Sequence, residues 1–143
     1  MNKERVAILV RDGKLRPRQP DFALAKSLIA SARNDASVAL AIKLEEKSAT
    51  VIFRTIYEAI RQLGEARWIM LGYQPDNHEV SLEALLDLDI KDKVKLNYLD
   101  RFRRIRNDAN YRGFTVSESQ AREMIGFWKA CSSEIIEKIS NEA

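Results

Sequence analysis

The run Ser48-Ala49-Thr50-Val51-Ile52-Phe53-Arg54-Thr55-Ile56-Tyr57-Glu58-Ala59-Ile60-Arg61-Gln62-Leu63-Gly64-Glu65-Ala66-Arg67-Trp68-Ile69-Met70-Leu71-Gly72 decides the fold class. Ile52, Ile56, Ile60, Leu63 and Met70 share one face at helical spacing, whereas a strand would alternate every second residue. Ser48 reads as the N-cap of a helix over Ala49–Leu71, and Gly72 as its end. Gly64 sits mid-helix at a cost of about 1 kcal/mol relative to Ala, which close packing against another helix would justify.

The same period extends outward. Asp21 reads as an N-cap, with Phe22, Ala25, Ile29, Ala32, Ala36 and Ala39 on one face of a helix reaching about Leu44. Ser81 is expected to cap a short helix over Leu82–Leu88. Val94, Tyr98, Phe102, Ile105 and Ala109 form the stripe of another helix ending near Gly113. Ser117 and Gln120 have capping-box spacing, and Ala121, Met124, Trp128, Cys131, Ile135 and Ile139 follow on one face. Residues 3–12 read as a short helix stopped by Gly13, or as a strand through Val6–Val10. The two prolines of Leu15–Pro20 require extended chain, and residues 73–80 read as a loop. The prediction is an all-α, up-and-down bundle of four main helices plus short N-terminal and connecting helices. It forms a single domain over residues 1–143, with 1–20 a short helix or extended lead-in.

Composition narrows the chemistry. The chain has 143 residues, 45% hydrophobic and 31% charged, with five Gly and three Pro. These values suit a globular protein rather than a disordered or collagen-like one. No apolar run approaches the roughly 18 residues of a membrane span, so no membrane partner is expected. The start, Met1 to Arg11, does not read as a secretory signal. One cysteine, Cys131, excludes an internal disulfide and a Cys-based metal site, and the single His78 excludes a His-pair motif. A cytoplasmic protein without metal or cofactor is expected. Trp68 and Trp128 read as anchors of helix packing or of a dimer interface.

The net charge of +3 is unevenly spread. Lys3, Arg5, Arg11, Lys14, Arg16 and Arg18 crowd the first twenty residues. Arg101, Arg103, Arg104, Arg106 and Arg112 crowd another stretch, and an acidic stretch over 76–92 lies between. This pattern is either a solvated surface or two basic patches that meet and face phosphates.

The order of Tyr57-Glu58-Ala59-Ile60-Arg61, Leu71 to Glu79, and Arg106-Asn107-Asp108-Ala109-Asn110-Tyr111-Arg112-Gly113 before a capped last helix resembles the HEPN superfamily. The lead-in Asp12 to Asp21 also looks like that of small prokaryotic members. The resemblance implies a helical bundle and a homodimer. Many members are metal-independent ribonucleases, often toxins or defence effectors, whose site is an Arg, a polar residue, and a His five positions after the Arg. Arg106 and Asn107 match the first two positions, and the His position falls on Tyr111. A neighbouring subgroup carries Arg-x-x-Ala-(Asp/Asn)-Tyr, here Arg106, Ala109, Asn110 and Tyr111.

Metal-free RNA cleavage needs proton transfer near neutral pH, which a His supplies. Tyrosine, with an ordinary pKa of about 10, is a poor base at pH 7. Arg106 retains the ability to grip a phosphate bidentately. On an ideal helix Arg106 and Tyr111 stand about 140° apart, so a joint site needs the helix to end before Tyr111, or two chains. Asn107 and Tyr111, at i and i+4, share a face. Tyr111 is either a buried, hydrogen-bonded ring or a group that orients substrate or is modified. His78, if its loop folds over Arg106, would replace the missing imidazole.

Two functions follow. In the first, the chain is a prokaryotic HEPN-domain protein associated with nucleic acid or nucleotide, the toxin-like half of a toxin–antitoxin or defence pair. Arg103, Arg106 and Asn107 bind phosphate, Arg106 and Tyr111 form the catalytic pair if the chain is a ribonuclease, and a small nucleotidyltransferase is the implied partner. In the second, it is a non-catalytic dimerisation or adaptor module.

Overall fold

The stretch after Ser48 forms one long helix whose apolar face is the spine of the protein. The computed structural model describes residues 1–111 and 113–142, without the side chain of His78. In chain order the elements are α1 (Lys3–Arg11), β1 (Leu15–Pro17), α2 (Phe22–Leu40), α3 (Ala49–Leu71), β2 (Tyr73–Pro75), α4 (His78–Glu83), α5 (Tyr98–Tyr111) and α6 (Glu118–Ser140). A 3-10 helix, Lys93–Asn97, leads into α5. The fold is an all-α helical bundle with one small strand pair. Helix α3 is central, packing most extensively on α2 and also on α6, α4 and α5. Among the described residues no helix is long and apolar enough to cross a membrane.

Ile52, Ile56, Ile60, Leu63 and Met70 are buried as their spacing requires. Gly72 ends α3 in the left-handed region at φ 95°, where a side chain would be strained. Gly64 serves close approach: a Cβ there would stand 2.0 Å from the backbone oxygen of Ser81. Helix α4 therefore lies directly on α3. Phe53, Phe102 and Phe127 then link α3, α5 and α6 edge to face, at centroid distances of 5.9 and 5.5 Å.

Several boundaries differ from the sequence reading, each for a local reason. Residues 6–10 are helical, within α1, which Asn2 caps and Gly13 follows. Extended residues 15–17 pair antiparallel with 73–75, so part of the expected loop is β2. Helix α2 stops at Leu40 rather than about Leu44, because the Ser48 hydroxyl organises the loop. It accepts from Glu45 N at 2.9 Å and donates to the Lys43 carbonyl at 2.7 Å. Ser48 consequently makes no cap to α3. Phe22 is exposed although it is in phase with the buried stripe, since it sits in the first turn of α2.

Ser81 is inside α4 rather than its cap. Asn77 takes that role, accepting from Val80 N at 3.0 Å, and the Ser81 hydroxyl donates back to the Asn77 carbonyl at 3.2 Å. Val94 and Tyr98 are exposed, and Leu96 and Leu99 are buried instead. The 3-10 segment has three residues per turn, so the stripe changes phase there before Phe102 and Ala109 restore it. At the last helix the capping box forms in both directions, with Gln120 N to Ser117 Oγ at 3.1 Å and Ser117 N to Gln120 Oε1 at 3.0 Å.

The main core joins α2, α3, α5 and α6, while a smaller cluster of Leu9, Leu15, Trp68, Val80 and Ala84 seals α1 and the strand pair. Trp68 and Trp128 are both buried in the chain's own packing, and Trp68 Nε1 donates to the Val80 carbonyl at 2.6 Å. Cys131 is core, and burial pushes its thiol pKa up.

Candidate functional site

Helix α5 buries Phe102 and Ala109, which turns the arginine-bearing side of residues 103–107 toward the start of α4. Its end is tied to α3 by Arg54, which donates to the Ala109 carbonyl at 3.2 Å. Between α5 and the α4 N-terminus lies a cleft of about 440 Å³. Arg103, Arg106, Asn107 and Tyr111 line one wall, and Asp76, Asn77 and Glu79 the other. Every described side chain expected at the site thus meets in one place. The suggested role of His78 falls on a side chain outside the described residues.

Arg106 stands at the centre. Its guanidinium carbon is 5.7 Å from the centroid of the Tyr57 ring and 6.0 Å from that of Tyr111. Its Nη1 donates a long 3.4 Å hydrogen bond to Asn107 Oδ1. The neighbouring arginines are paired: Arg101 with Glu123 at 3.0 Å, while Arg103 and Arg104 share the one carboxylate of Asp100 at 2.9 and 3.2 Å. Among the described residues, Arg106 pairs with no carboxylate. Its partners are aromatic faces and an amide, which hold the cation without cancelling its charge.

Two expectations about Tyr111 change. The ring is not buried; the residue is 77% exposed. Nor does helical geometry keep it from Arg106, although α5 runs unbroken to Tyr111. Helical side chains lean back toward the N-terminus, so the ring reaches over the preceding turn, and the long Arg106 side chain closes the remaining gap. One chain brings the pair together.

Tyr57 completes the site from beneath and was not expected there. It is almost fully buried on α3. Burial raises its phenol from the ordinary 10.0 to about 12, with Arg106 and then Arg103 partly offsetting that rise. The sequence carried one signal, a tyrosine beside the Ile56–Ile60 stripe, but only the fold reveals which helix covers it. Arg103 is less available than expected, since the Asp100 hydrogen bond raises its pKa and fixes it.

The two basic stretches do meet, but over carboxylates. Arg5 and Arg103 line a second, smaller cleft with Glu79, Glu83 and Asp100, and Arg5 is hydrogen-bonded to Glu83. Of the acidic stretch between them in sequence, Glu83 takes Arg5, while Arg103 is held by Asp100 of its own helix. Arg112 lies outside the described residues.

Compared with protein-family models, curated proteins and solved structures, the chain matches none. The site is thus read from its own chemistry. Among the described residues, no group of three His, Cys, Asp or Glu side chains converges as a cation site would require. The cleft offers a fixed cation, amide and carboxylate groups that accept hydrogen bonds, and an exposed aromatic ring.

Proposed function

We propose that the cleft binds the phosphate of RNA or of a nucleotide, with Arg106 as the anion anchor. The observation that carries this reading is that Arg106 forms no ion pair among the described residues, whereas Arg101, Arg103 and Arg104 each do. A guanidinium held open in this way can take two phosphate oxygens in one plane. The rest of the lining suits a nucleotide better than inorganic phosphate. Asp76 and Glu79 can accept hydrogen bonds from ribose hydroxyls or base amines, and the exposed Tyr111 ring can stack on a base. Asn107 steadies Arg106, and Arg103 contributes charge more than contact.

This reading accords with the resemblance to the HEPN superfamily, which concerns the same Arg106, Asn107 and Tyr111. With that resemblance go a homodimer, a small nucleotidyltransferase partner and a toxin–antitoxin or defence setting. RNA cleavage, if the chain performs it, would use Arg106 for the charged phosphorane and Tyr111 as a hydrogen-bond donor. The non-catalytic module remains a second reading, favoured by the solvent-exposed Tyr111 ring at the position where an imidazole is expected.

The test is fluorescence anisotropy of a labelled single-stranded RNA oligonucleotide with EDTA present. Wild type is compared with Arg106→Ala and Tyr111→Ala, and intact and cleaved RNA are resolved afterwards on a gel. The phosphate reading expects saturable binding that both substitutions weaken. Absence of binding by wild type would leave the adaptor module.

A further inference from the structure

A second concavity lies away from the Arg106 cleft, between α1, β1 and the end of α3. It measures about 1020 Å³. Ligand-binding clefts span roughly 300–1,000 Å³, so this one is large and suits a piece of polypeptide. Val6, Ala7, Val10 and Leu71 supply apolar surface, with Trp68 buried behind them. Its charged lining is all of one sign: Lys3 and Arg11 at the two ends of α1, and Arg18 just after β1, with no Asp or Glu among the lining residues. Lys3 makes no ion pair among the described residues, and Arg11 and Arg18 meet carboxylates only in pairs within one to three residues in sequence. Such exposed pairs yield easily to a better partner.

We propose that this groove is a docking site for an acidic amphipathic helix of another protein. Lys3, Ala7, Val10 and Arg11 follow helical spacing, so one stripe of α1 presents apolar groups between two cations. Lys3 and Arg11 are about 12 Å apart along the axis, matching carboxylates roughly two helical turns apart on the occupant. The occupant's apolar stripe fills the floor, in the manner of a helix in a groove. A membrane surface fits less well, because the apolar groups line a concavity, whereas insertion needs protruding groups. A second copy of this chain fits less well too. Its own acidic apolar segment is committed inside the fold, where Leu82, Leu85, Leu88 and Ile90 are buried.

The probe is a synthetic capped helix with leucines at i, i+3, i+4 and i+7 between glutamates, beside the same helix with lysines in their place. Anisotropy should show saturable binding of the acidic helix alone. Ala7→Glu should weaken it about tenfold or more, since a charge would enter the apolar floor. The Lys3→Glu, Arg11→Glu double variant should switch preference to the lysine helix. Ala7 and Arg11 are exposed on α1, and circular dichroism melts verify that the variants fold. Arg106→Ala should bind the acidic helix as wild type does, which separates this site from the RNA reading. Equal binding of both helices, or of neither, would overturn the proposal. So would binding to phosphatidylglycerol–phosphatidylcholine vesicles that the same variants abolish, which would mark a membrane surface instead.

Discussion

The Arg106 guanidinium carbon stands 5.7 Å from the centre of the Tyr57 ring, so a permanent cation lies over a nearly buried phenol. The ring face holds the cation, and burial keeps the phenol protonated. The unfolded chain would lose that proton near pH 10 and the folded chain near about 12. Between those values the folded state binds more protons, so stability falls as pH rises. Urea melts from pH 8 to 12 should show this fall, and Tyr57→Phe should make it shallower by up to about 2 kcal/mol across the window. An unchanged slope in Tyr57→Phe would place the titration elsewhere.

Gly64→Ala tests the contact between α3 and α4. A Cβ would stand 2.0 Å from the Ser81 backbone oxygen, which cannot move without displacing α4. Helix propensity alone favours Ala by about 1 kcal/mol, so the two effects oppose each other. The clash should win, with a net loss of about 1–3 kcal/mol in chemical denaturation. A more stable Gly64→Ala protein would mean that α4 does not rest on Gly64.

Arg67 is a buried charge, 6% exposed, and it joins three parts of the chain. It donates to the Ala84 carbonyl at 2.6 Å, pairs with Asp87, and reaches Glu142 at 3.0 Å. Arg67→Ala leaves the Ala84 carbonyl without its donor, while Asp87 and Glu142 are partly exposed and Asp87 keeps the N-terminal ammonium, so the loss should be about 1–3 kcal/mol. Thermal melts of the variant measure it. A loss below about 1 kcal/mol would show that solvent replaces the network.

Much of this architecture was legible in the sequence. The spacing from Ile52 to Met70, the Ser117–Gln120 box and the glycine after Leu71 each carry their cause within a few residues. The misses arose where one local signal competed with another. Ser48 and Ser81 looked like caps, but one hydroxyl serves a loop and Asn77 preempts the other. Val94 was in phase with Phe102 only if the chain stayed α-helical between them, and it does not. At the candidate site the Arg106–Asn107–Tyr111 spacing was readable, whereas Tyr57 was not, because its role depends on which helix packs over α3. The opposite wall was equally hidden, since it needs the tertiary placement of α4.

Ser117→Ala isolates the last cap. It removes the bond from Gln120 N while leaving the core face of α6 untouched. A loss of about 0.5–2 kcal/mol in thermal or urea melts is expected, with RNA affinity unchanged. A selective loss of RNA binding would instead couple the α6 terminus to the cleft.

The central claim is that Arg106 neutralises a phosphate while its paired neighbours do not. The most direct measurement is the salt dependence of RNA affinity for wild type, Arg106→Ala and Arg104→Ala. Arg104 is an exposed control already held by Asp100. Each phosphate contact contributes about 0.7 to the slope of log affinity against log salt for single strands. Arg106→Ala should lower the slope by about that amount and weaken binding at low salt, while Arg104→Ala stays near wild type. Identical slopes for wild type and Arg106→Ala, or equal losses in both variants, would contradict the account.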